Sequence, residues 1–144
     1  MKPLLLACTL AVAISANGAD KPNSTKVTGT VLTPKAVKDI AGLTLELRLY
    51  EYDPFLADAA ADLVAKLRVK NLTHKKGKET KTKFTLAEGG SIQPRRSYYL
   101  TCFVIDAKGK RHLMGEKDGK RGLCKVLTGG NPNKVSLILR DLRK

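Results

Sequence analysis

Cys102 and Cys124 carry the most versatile chemistry in this 144-residue chain, and their spacing limits what they can do. A thiol pair can exchange electrons, hold a metal together with histidines, or close a disulfide. Redox pairs favour Cys-x-x-Cys spacing, which activates one thiolate, and these two cysteines lie far apart in sequence. A zinc site would need both histidines, His74 and His112, to converge from separate turns. The structural readings are a disulfide or buried free thiols. A Cys102–Cys124 disulfide is the expectation, worth on the order of 3 kcal/mol for such a loop in the chain-entropy model.

Other catalytic constellations are thin. Ser91, Ser97 and Ser136 lie outside any nucleophile-elbow motif. Glu46 and Glu51 fall on a predicted sheet, and nothing marks them as an acid–base pair. GxGxxG, GKT and HExxH are all missing, and TGGNP has no downstream helix with which to bind phosphate. The residues therefore predict no catalytic, cofactor-binding or metal-binding site. NST and NLT match glycan acceptors only in a source that glycosylates asparagine.

Basic residues form the other chemical group, and the formal charge is +14. Such an excess keeps chains apart in solution, and it also suits a polyanionic partner. Lysines cluster in PKAVKD, HKKGK and AKGKR. If these are alternate connections between strands, Lys35, Lys38, Lys75, Lys76, Lys78, Lys108, Lys110 and Arg111 gather at one pole. Anionic lipid, lipopolysaccharide or acidic glycan would be the matching ligands. Nucleic acid is disfavoured, because no aromatics are interleaved with the lysines for base stacking.

The elements that would position these groups read as strands. In LTLELRLYEY, Leu43, Leu45, Leu47 and Leu49 share one face and Thr44, Glu46, Arg48 and Tyr50 the other. DLVAKLRVKN sets Leu63, Ala65, Leu67 and Val69 against Lys66, Arg68 and Lys70. TKTKFTL does the same with Thr82, Phe84 and Leu86, and VSLILRDL with Val135, Leu137 and Leu139. SYYLTCFVI is apolar on both faces, as a central strand covered on both sides would be. KVTGTVLT reads as a first strand, and RHLMGE with GLCKVLT supplies one or two more. KKGK, DAKGK, KDGK and TGGNPN are turn signals between them. Short strands separated by turns, without alternating helices, predict an all-β fold: one small antiparallel sandwich of about seven strands. The stretch at 53–61, opening with Asp-Pro, reads as a short helical turn or a loop. With 42% hydrophobic residues but only 5% aromatics and no tryptophan, the core must be aliphatic.

The first residues read as an address. Lys2 precedes an apolar run from Pro3 to Ile14, followed by small residues, which is the layout of a secretory signal peptide. Cys8 sits in LLAC, the pattern of a lipoprotein cleavage site, but the apolar run continues past it. The expectation is cleavage after Ala19, with lipid anchoring through Cys8 as the disfavoured alternative. Residues 1–19 are then the signal, 20–25 a mobile leader and 26–144 one exported domain. The compartment is periplasmic or extracellular, where a disulfide can persist.

VTGTV, IQPRRSYYLTCFVIDAKGKRHL and VLTGGNPNKVSLILRDL together resemble the YbaY and YscW lipoprotein family, which includes pilotin chaperones of type III secretion secretins. The likeness runs from about Lys26 to Leu142. It implies a small β-sandwich that binds an outer-membrane or other envelope protein, and no active-site residues. Residues and resemblance together imply a non-enzymatic, pilotin-like envelope binding or chaperone module. The alternative is a polyanion binder acting through the lysine-rich pole.

Overall fold

A computed structural model describes residues 24–87 and 89–142. The expected signal peptide with Cys8, and the leader up to residue 23, lie outside the described residues. Ser24 and Thr25 are already docked: Ser24 bridges Ser91, and the buried Thr25 donates from its hydroxyl to the Ala87 carbonyl at 3.2 Å. Both residues thus pack against the segment at 87–91.

Eight strands follow, with no helix among the described residues: β1 (Val27–Thr33), β2 (Ile40–Tyr52), β3 (Asp62–His74), β4 (Thr80–Leu86), β5 (Ser97–Ile105), β6 (Arg111–Lys117), β7 (Cys124–Val126) and β8 (Lys134–Asp141). They form one sheet in the order β3-β2-β5-β6-β8-β1-β4, curved until it is nearly a closed barrel. The two halves face each other as in a small sandwich. Most pairs are antiparallel, and β1 with β8 is parallel. Short β7 pairs with Tyr98–Leu100 of β5, while β6 pairs with Phe103–Ile105, so β6 and β7 share one side of β5.

Alternation explains the core. Leu45, Leu47 and Leu49 of β2, Leu100 and Val104 of β5 and Leu137 and Leu139 of β8 point inward and are almost wholly buried. Each buried leucine contributes roughly 1.5–3 kcal/mol. Tyr98 is the largest fully buried side chain, and with Phe84 it supplies the aromatic part of an otherwise aliphatic core. The outer face of β5 is half-buried under side chains of its own sheet, rather than under a second layer.

Residues 53–61 form successive turns instead of a helix. Leu56 N–H reaches the Asp53 carbonyl, Ala59 N–H reaches that of Leu56, and the Asp53 carboxylate accepts from Phe55 N–H at 2.9 Å. A short helix needs an apolar face to pack, and here Phe55 is 86% and Leu56 58% exposed.

Two glycines permit close strand approach. A Cβ on Gly29 would collide with the Val135 carbonyl oxygen of β8 and stand 2.9 Å from the Phe84 ring. A Cβ on Gly115 would stand 2.8 Å from the Cys102 sulfur.

Candidate functional site

Strand direction reverses at each step from β1 to β6, so the loops at 34–39, 75–79 and 106–110 lie at one end. All eight basic residues singled out in the sequence sit on these loops or their margins, and all are exposed. The loops are tied together by backbone. Gly77 N–H donates to the Lys35 carbonyl at 2.8 Å, and Lys76 N–H donates to the Asp39 carboxylate at 2.7 Å. That bond from Lys76, with the Lys75 ammonium 3.5 Å away, holds the Asp39 carboxyl below its ordinary range. Asp106 accepts from the His112 ring at 3.0 Å and from the Lys108 and Lys110 backbone, which likewise lowers it. Eight cations therefore surround three acids, Asp39, Glu79 and Asp106. The pole is a surface of exposed lysines on loops pinned by backbone hydrogen bonds.

The sulfur chemistry is different. Cys102 and Cys124 are both buried free thiols, so the expected bond is not made in this structure. Register supplies the reason: Cys124 faces Leu100, one pair along from Cys102 on the same inward face. Diagonal partners lie about 7–8 Å apart, beyond the roughly 4.4–6.8 Å between α-carbons that a disulfide requires. Burial pushes the Cys102 thiol up to about 12, with Cys124 nearby adding to it, and burial pushes Cys124 to about 11. Neither is a thiolate at neutral pH.

The histidines serve locally. His74 is buried, with Nδ1 2.9 Å from the Thr80 hydroxyl, and His112 pairs with Asp106. Ser91, Ser97 and Ser136 lie on three separate segments. Glu46 and Glu51 point different ways along β2. Glu51 accepts from the Tyr98 hydroxyl at 2.8 Å and pairs with Arg96 at 3.2 Å. It lines a cleft of about 670 Å³ with Asp53, Gln93, Pro94, Arg95 and Arg96 at the pole opposite the lysines. Tyr98 in turn receives the Gln93 N–H, and burial pushes its phenol up. Within the cleft, Gln93, Tyr98, Glu51 and Arg96 are linked by two hydrogen bonds and one ion pair.

Two features escaped the sequence reading. The first is the outer face of β2 and β5. Tyr50 and Tyr99 stack at 5.1 Å, Tyr52 meets Tyr99 edge-on, and the Arg111 guanidinium lies 4.0 Å over Phe103. Glu46 is only 3% exposed on this face, clasped by Arg48 at 2.6 Å and Arg68 at 2.7 Å. The alternation had set Glu46, Arg48 and Tyr50 on one face of β2 without showing that they pack into a layer with β5.

The second is the outer edge of β3. Among the described residues β3 ends the sheet, β4 ends it on the other side, and the two are joined by a loop without being paired. Leu63 is 50% and Val64 38% exposed at the lower end of β3.

A solved structure shares this arrangement: an alternative pilotin from the type II secretion system of Vibrio cholerae. It superposes with a TM-score of 0.53 over 80% of this chain and 96% of the pilotin, at 19% sequence identity. The fold is pilotin-like. No family model matches the chain, and no curated protein does. No helix among the described residues is long and apolar enough to cross a membrane.

Proposed function

We propose that this protein is a non-enzymatic, exported envelope module that binds and chaperones a protein partner in the manner of a pilotin. The observation that carries the reading is the pilotin-like fold, which spans nearly the whole of the solved pilotin. The YbaY and YscW resemblance in VTGTV, IQPRRSYYLTCFVIDAKGKRHL and VLTGGNPNKVSLILRDL points the same way. The long β3 edge, which no strand among the described residues pairs with, offers such a partner backbone groups to bond. The partner would be a secretin or another outer-membrane protein.

The test is made in cells. Co-production with the type II secretin of the same source should raise the amount of assembled secretin multimer in the outer-membrane fraction. Equal amounts and locations with and without the chain would contradict the reading.

A second reading rests on one observation, the gathering of three lysine loops at one pole. Near an anionic surface each lysine contributes about 1 kcal/mol. Changing Lys75, Lys76 and Lys78 to glutamine should weaken binding to anionic vesicles or heparin by about tenfold or more. The same change at Lys117, Lys120 and Arg121, toward the other pole, should do less. Equal losses would assign the attraction to net charge alone.

A further inference from the structure

From the geometry of the seam between β3 and β4, we propose that it accepts an extended partner segment with acidic and apolar residues in alternation. The inference rests on the protein-binding reading above and names how the partner is held. Among the described residues no strand pairs with the outer edge of β3. Its outward N–H and C=O groups are therefore a template for a further strand.

Proteins usually blunt such edges with bulges. In β3 the register slips against β2 at Val64 and again near Asn71, which takes a φ of 56°. Between these slips, Ala65 to Val69 pairs with β2 without interruption. This flat run is long enough to seat a segment of five or so residues, antiparallel pairing being the more stable.

Side chains on the flat run define the occupant. Inward, Ala65, Leu67 and Val69 are only partly buried, so an added strand would cover apolar surface there. Outward stand Lys66, Arg68 and Lys70, all exposed. Arg68 and Lys66 face Glu46 and Arg48 of β2, so a single carboxylate answers three cations in that quartet. Across the seam, β4 presents Lys81 and Lys83 outward as well, with Lys81 3.6 Å from Glu79. Cationic rows flank both sides of the seam, and acids at alternate positions of an incoming strand would meet them. Opposite charges directly across a sheet attract and like charges repel.

The probe is a fluorescent nine-residue peptide alternating valine and glutamate, titrated against the mature protein. Two further versions carry N-methyl groups on the valines or on the glutamates, each removing N–H donors from one edge. The parent peptide should bind at or below about 1 mM, and one of the N-methylated versions should bind at least tenfold more weakly. The double variant Lys66→Glu, Lys70→Glu should lose about tenfold for this peptide and gain for a valine–lysine alternation. Both positions are exposed, so an unchanged melting temperature shows that folding is intact. Absence of binding, equal binding of all three peptides, or indifference to the charge swap would overturn the proposal. Secretin binding that is insensitive to the swap would overturn the seam and leave the chaperone reading standing. Peptide binding without any effect on secretin assembly would do the reverse.

Discussion

Glu46 stands on the solvent-facing side of β2, yet Arg48 and Arg68 cover it almost completely. Burial alone would raise its carboxyl; the two guanidinium bonds outweigh that and hold it below the ordinary carboxylate range. A carboxylate lowered in the folded state adds stability above its unfolded pKa of about 4.3, and loses it as pH falls through the lower folded value. Glu46→Gln should therefore cost about 1–2 kcal/mol near pH 7, since both arginines stay partly solvated. In urea titrations the gap between variant and wild type should close as pH falls below about 4. A gap that persists in acid would mean that the carboxylate charge is not what stabilises the face. Sequence alternation placed Glu46 on the correct face. It could not show burial there, because covering depends on long side chains from a neighbouring strand. The cysteines illustrate a related point: an oxidising compartment would favour a bond, whereas register decides which α-carbons meet, and in this structure both thiols are free.

At the scale of elements, the strands were legible because alternation with a period of two is strong in β2, β3, β4 and β8. Ends differed by a few residues, as with Ile40 and His74, where glycine and polar residues interrupt the pattern. Neighbour order was not legible. Alternation says which face is inward but not which strand lies alongside, so the parallel pairing of β1 with β8 carried no local signal. Gly29 is its trace, allowing β1 to approach the Val135 carbonyl closely. Gly29→Ala should cost about 2–3 kcal/mol or prevent folding, read from the urea midpoint, because the oxygen it meets is backbone and cannot rotate away. A neutral outcome would place the two strands farther apart than described. Residues 53–61 were ambiguous for good reason: Asp-Pro opens helices and turns alike, and only packing decides between them.

Across the whole molecule, chemistry separates by location. Lysine loops crown one pole, the cleft around the Glu51–Arg96 pair and the exposed Phe55 and Leu56 occupy the other, and the seam between β3 and β4 runs along the side. The lysine pole was foreseeable, since alternating strand direction sends every second loop to the same end whatever the neighbour order. The seam was not, because an edge exists only once the order is known. Protein binding and anion binding make different demands on salt: exposed charges are screened over about 8 Å at physiological ionic strength and about 3 Å at 1 M, whereas backbone pairing and apolar burial are not. The most direct measurement is a calorimetric titration of the domain from Ser24 onward with the soluble C-terminal region of the type II secretin from the same source. A one-to-one complex is expected at about 0.15 M salt, weakening less than roughly tenfold at about 0.5 M. No complex at either salt, or one abolished at the higher salt, would contradict it.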